Sequence, residues 1–169
     1  GWKYVIDFDF LWEFSQERGL SCIGVASYST WEIYVSDPSA TIHEFGHFLD
    51  WTLDFPVYHE MLYKAEGQSA ADTVLRDYSA TNSHEYFADA FAFWIQNRDH
   101  EEQMKQLKEA APETYAYLAG LESSGWSAQG WWLDLPPLAS CLRNHSLNPC
   151  TRPFGGGAYP NAKMEEGFL

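Results

Sequence analysis

The pentapeptide His43-Glu44-Phe45-Gly46-His47 constrains this chain more than any other stretch of it. Two histidines four residues apart project from one face only on an α-helix, one turn apart, and there their imidazole nitrogens can bind a single ion. The flanking residues predict that helix. Ser36-Asp37-Pro38-Ser39 is a start signal, with Asp37 as N-cap and Pro38 at the first helical position, and Pro56 closes the segment shortly after Leu53. On such a helix His43 and His47 can hold Zn2+. Glu44 then lies beside the metal without ligating it, where a general base takes a proton from zinc-activated water. The competing reading is two histidines on an ordinary amphipathic helix.

A catalytic zinc needs a third protein ligand and an open fourth position. The downstream candidates are Asp50, Asp54, His59, Glu60, His84, Glu85 and Asp89. Asp50, three residues past His47, points too far along the helix axis to converge with both histidines, and His59 and Glu60 fall in a stretch without a supporting pattern. The segment Asn82-Ser83-His84-Glu85-Tyr86-Phe87-Ala88-Asp89 is better. Ser83 reads as the cap of a second helix, Glu85 sits in its first turns, and Asp89 follows four residues later on the same face. Glu85 can complete the zinc site while Asp89 accepts the spare N–H of a ligand histidine. Two acids among Phe87, Ala88, Ala90, Phe91, Phe93 and Trp94 need such a reason, although His84 stays open as an alternative ligand. Tyr78, seven residues before Glu85, lies in the loop leading to that helix. A phenol there can hydrogen-bond an oxyanion or protonate a leaving amine; a packing role is the competing reading.

The rest of the chain frames this centre. It has 169 residues, enough for one domain, with 8 Trp, 10 Tyr and 11 Phe to fill a core. Strands are predicted over 2–8, 22–28 and 31–35, the last two around a Ser29-Thr30 turn, and a short helix over 10–18 ended by Gly19. After the 38–53 helix come an irregular helical stretch over 58–76 and helices over 83–97 and 99–111. A last helix starts near Pro112 with Tyr115, Leu118 and Ala119 on one side. The expected class is α+β, predominantly helical with a small N-terminal sheet. Residues 1–122 make the domain, and 123–169 an irregular extension rich in Trp, Pro and Gly that packs on it through aromatic anchors. Within that extension Leu135-Pro136-Pro137-Leu138 reads as an exposed polyproline turn, with a pseudo-substrate as the sharper alternative.

Lys and Arg number 10 against 24 Asp and Glu, a net charge of −14. That balance argues against nucleic acid as a partner and toward basic peptides. No apolar run approaches the 18 or so residues that suggest a membrane span, and a monomer is expected. Cys22 reads as a buried free thiol. Cys141 and Cys150 can close a short loop worth about 3 kcal/mol in the chain-entropy model, or stay reduced. If they pair, the protein works outside the reducing cytosol. Charges interrupt residues 1–20, so they do not read as a signal peptide.

Taken together, HEFGHFLD at 43–50, Tyr78 seven residues before Glu85, HEYFADAF at 84–91 and AAPETYAYL at 110–118 resemble the gluzincin metallopeptidases. That family is typified by the catalytic domain of anthrax lethal factor and the secreted bacterial Pro-Pro endopeptidases. The resemblance covers about residues 36–118. It implies a zincin-like fold, a zinc-dependent endopeptidase acting on protein or peptide substrates, and a protein that is secreted or delivered into a host cell as a toxin domain. Its roles fall on His43, His47 and Glu85 as zinc ligands, Glu44 as general base and Tyr78 as transition-state donor. Asp89 stands where the family usually has Glu. The resemblance further implies that a peptide pairs with a sheet edge beside the active-site helix; either 24–28 or 31–35 can supply it. The lethal-factor branch implies basic and proline-containing substrates, and the Pro-Pro branch a proline preference. The rival classes are a non-catalytic zinc-containing binding module, which has no use for Glu44, a toxin fragment that needs missing flanking regions, and a zinc hydrolase of non-peptide substrates.

Overall fold

The computed structural model describes residues 2–19, 21–54 and 56–127, all within one unit, Gly1–Gln129. Cys141, Cys150 and the 135–138 segment lie outside the described residues. Strand β1 (Lys3–Ile6) leads into helix α1 (Phe8–Arg18). The helix begins two residues earlier than expected, because the Asp7 carboxylate accepts from Phe10 N at 2.9 Å and satisfies an N–H that the first turn leaves orphaned. Gly19 ends it in the left-handed region at φ 67°. Strands β2 (Gly24–Ser27) and β3 (Glu32–Val35) pair antiparallel, from Gly24 opposite Val35 to Ser27 opposite Glu32. β1 joins β3 in parallel, so the sheet order is β1-β3-β2 and β3 is its middle strand. Ile33 and Val35 form the buried side of β3, and they pack with Ala40, Trp2 and Phe48.

The start signal at Asp37 works as read, but it opens a 3-10 turn. Asp37 Oδ1 accepts from Ser39 N at 2.8 Å, the turn covers Pro38–Ala40, and α2 (Thr41–Thr52) continues from it. The next segment departs from expectation. Instead of an irregular stretch, α3 (Val57–Thr73) is one continuous 17-residue helix. Its buried side holds His59, Glu66, Gly67, Ala70 and Ala71 beside Tyr58 and Leu62, so polar and small residues erase the apolar periodicity that would have announced it.

A 3-10 turn over Asp77–Ala80 precedes α4 (Ser83–Asn97). Asn82, not Ser83, caps this helix: its Oδ1 accepts from His84 N at 2.9 Å and from Glu85 N at 3.0 Å. Then come α5 (Glu101–Ala110) and α6 (Pro112–Ser123). Glu66 holds the start of α6 from α3, its two carboxylate oxygens each 2.8 Å from a backbone N–H, those of Glu113 and Thr114. A buried carboxylate there matches the positive end of the helix dipole. This tether sets the rotation of α6: it buries Thr114, Tyr117, Leu118 and Leu121, whereas Tyr115 and Ala119 stay half-exposed. Beyond α6, Trp126 meets Phe91 edge to face at 5.2 Å.

Helices α2 and α4 cross in near contact at Gly46. A Cβ on that residue would meet Ala88 Cα at 2.6 Å and its carbonyl oxygen at 3.0 Å. The missing side chain lets the two backbones approach, and this brings the first turn of α4 beside the histidines of α2. No helix among the described residues is long and apolar enough to cross a membrane.

Candidate metal centre

His43 and His47 leave α2 one turn apart, and Glu85 enters from the first turn of α4. The two Nε2 atoms are 3.1 Å apart, and Glu85 Oε2 lies 3.1 Å from that of His43 and 3.4 Å from that of His47. One donor atom from each residue falls within 4.8 Å of the others; among the described residues this is the His/Cys/Asp/Glu group that could hold a metal ion. Glu85 Oε2 is buried yet makes no hydrogen bond. Two imidazole nitrogens and a carboxylate oxygen, converging with one acceptor left unpaired, are a donor set that suits Zn2+.

The charges follow from this crowding. Burial works to keep Glu85 neutral, but contacts with His43 and His47 outweigh it and pull its carboxyl down to about 2. Burial likewise opposes a charge on His43, and the hydrogen bond to Asp89 and the nearby Glu85 carboxylate outweigh it, raising the imidazole to about 9. The Glu85 carboxylate and the His43 imidazole therefore meet as opposite charges, 3.1 Å apart.

Glu44, next to His43 on α2, is buried against strand β2. A Cβ on Gly24 would meet Glu44 Oε1 at 2.5 Å, so the bare glycine backbone forms one wall of the carboxylate's position. Burial raises its pKa above the usual carboxylate range. Tyr78 sits on the Asp77–Ala80 turn with its ring centre 6.4 Å from that of His43. Its hydroxyl is buried without a hydrogen bond, and burial together with the nearby Glu85 charge raises the phenol well above its ordinary value. It is a proton donor throughout the neutral range.

Asp89, one turn along α4 from Glu85, accepts from His43 Nδ1 at 2.7 Å. That bond leaves Nε2 facing the other donor atoms, the arrangement that fixes a ligand tautomer. Arg76 also reaches Asp89, a contact that the sequence did not announce. The second buried group is larger. Asp50 accepts from His59 Nδ1 and His84 Nδ1, both at 2.6 Å, and His59 Nε2 lies 2.8 Å from the Tyr117 hydroxyl. His84, the alternative ligand, thus turns to Asp50, away from the histidine pair. Glu60 pairs with Lys64 at 3.0 Å, and Asp54 joins no metal-binding group among the described residues. Cys22 is half-buried, less enclosed than its apolar neighbours suggest.

Of the two candidate edge strands, 31–35 is excluded because β3 has a neighbour on both sides, whereas β2 ends the sheet next to Glu44. A family model described as "Anthrax toxin lethal factor, N- and C-terminal domain" matches residues 16–121. No curated protein matches the chain.

Proposed function

We propose, from the premise that the chain belongs to the anthrax toxin lethal factor N- and C-terminal domain family, that it is a zinc-dependent metalloendopeptidase with a zincin-like fold. Its substrates are proteins or peptides, and the toxin in the family's description supports a secreted, toxin-like setting. The observation that carries the activity is the convergence of His43, His47 and Glu85 with a non-ligating carboxylate, Glu44, held beside them. A purely structural zinc site has no use for that fourth group.

His43, His47 and Glu85 would hold the ion. Bound zinc supplies a water acidified to about pKa 7 and a Lewis acid for the scissile carbonyl. Glu44 takes the proton of the attacking water and delivers it to the departing amine. Tyr78 donates from its buried hydroxyl to the oxygen that gains charge. Asp89 keeps the His43 ring in register. Strand β2 offers backbone groups to an extended peptide beside Glu44. The net charge of −14 favours peptides that carry Lys or Arg near the bond, and proline-containing segments remain within the proposed range.

Gly24 gives this reading a local test. In Gly24→Ala the new methyl takes the place of Glu44 Oε1, so turnover is expected to fall about tenfold or more while zinc stoichiometry stays that of the wild type. Equal turnover in variant and wild type would show that Glu44 does not work from its observed position. For the activity itself, a diverse peptide library is incubated with zinc-loaded protein and read by mass spectrometry, with a chelated sample beside it. Internal cuts that vanish on chelation are expected. Cuts that persist without zinc, or an intact library with zinc bound, would contradict the proposal.

A further inference from the structure

We infer that Arg76 is a positioning residue of the metal centre: it clamps Asp89, and through Asp89 it sets the orientation of His43. The inference rests on reading His43, His47 and Glu85 as a zinc site. Arg76 immediately precedes the turn that carries Tyr78. Its Nε donates to Asp89 Oδ2 at 3.1 Å and its Nη2 donates to Asp89 Oδ1, so both carboxylate oxygens are held by one planar fork. The same Oδ1 accepts from His43 Nδ1 at 2.7 Å, and Arg76 Nη2 is 3.1 Å from that nitrogen.

A carboxylate held only by one imidazole is free to turn about its last torsion, and the ring can turn with it. A two-point guanidinium contact removes that freedom, which a point charge such as lysine cannot do. Charge leads to the same residue. Glu44, Glu85 and Asp89 are three buried carboxylates around the donor atoms. A divalent cation leaves one negative charge uncompensated, and Arg76 supplies the balancing positive charge from the solvent side, where its own side chain is 60% exposed. The guanidinium carbon also lies 5.7 Å from the Tyr78 ring centre. One side chain thus joins the turn bearing the proton donor to the helix bearing the third ligand.

The test measures zinc affinity by chelator competition on metal-free wild type, Arg76→Ala, Arg76→Lys, Asp89→Asn and the Arg76→Ala/Asp89→Asn double variant, with melting curves as a check on folding. Arg76→Ala is expected to weaken zinc binding about tenfold, within the usual span for groups that orient a ligand. Arg76→Lys restores part of that loss. The double variant binds zinc no more weakly than Asp89→Asn alone, because both changes cut one path. Affinity within twofold of wild type in Arg76→Ala, or losses that multiply in the double variant, would overturn the role of Arg76 and leave the zinc site standing. Should Arg76→Ala fail to fold, Arg76→Lys decides: unchanged affinity overturns the clamp. A wild type that binds no zinc would overturn the metal-centre reading itself. A wild type that binds zinc but cleaves nothing would overturn only the peptidase.

Discussion

Glu44→Gln is expected to leave zinc bound and to lower peptide turnover by about 10²- to 10⁴-fold, the usual range for a general acid–base group. The amide has nearly the shape of the carboxylate, so the wall formed by Gly24 still accepts it, and the three ligands are untouched. What is lost is the ability to take a proton. The loss should fall on kcat with little change in KM, because proton transfer belongs to the transition state and not to substrate binding. Steady-state kinetics on the best peptide from the library check this. A variant that retains turnover would remove Glu44 from the mechanism, whatever the metal content.

The largest stability effect is expected at Asp50→Ala. Asp50 is fully buried, and its two oxygens serve His59 from α3 and His84 from α4, while His59 stacks on Phe87 at 3.8 Å and reaches Tyr117 on α6. Removing the carboxylate strands the buried His59 N–H and opens a void where four helices meet. Breaking a buried pair from one side costs about 3–5 kcal/mol. At roughly 2–4 °C per kcal/mol for a chain of this size, Tm falls by about 10 °C. The effect depends on pH. Burial works to raise the Asp50 pKa, but hydrogen bonds from His59 and His84 outweigh it and leave it below 3.8. A lowered carboxyl pKa contributes stability that is complete above the unfolded value and is lost as pH falls through the folded one. The gap in Tm between wild type and variant should therefore be widest at about pH 5 to 6, where Asp50 is ionised and the His84 imidazole that it raises is still charged, and narrow below about pH 4. A gap that stays constant into acid would contradict an ionised Asp50 as its source.

The His43–His47–Glu85 cluster was legible because its spacing is local. Histidines four apart and the Glu85–Asp89 pair each lie on a single helix, so 3.6-residue periodicity sets their faces before any tertiary contact exists. The same geometry argued against Asp50 as a ligand, but its partners, His59 and His84, come from other helices and leave no trace in spacing. Arg76 was missed for that reason too: thirteen residues separate it from Asp89, across a turn and into a helix. Helix α3 was read as helical but irregular because His59, Glu66 and the small Gly67, Ala70 and Ala71 interrupt the apolar pattern of its buried face. Two glycines did carry usable signals. A lone glycine inside a helix, as at Gly46, costs about 1 kcal/mol and asks for a packing reason. One in a strand, as at Gly24, marks a close approach. Here the approaching groups are Ala88 and the Glu44 carboxylate.

A crystal structure of the zinc-loaded protein, with anomalous scattering at the zinc edge, decides whether these side chains form a catalytic zinc centre. One zinc ion is expected, ligated by Nε2 of His43, Nε2 of His47 and a carboxylate oxygen of Glu85, with a fourth position open to solvent beside Glu44. A zinc closed by four protein ligands, or one seated away from these three, would contradict it.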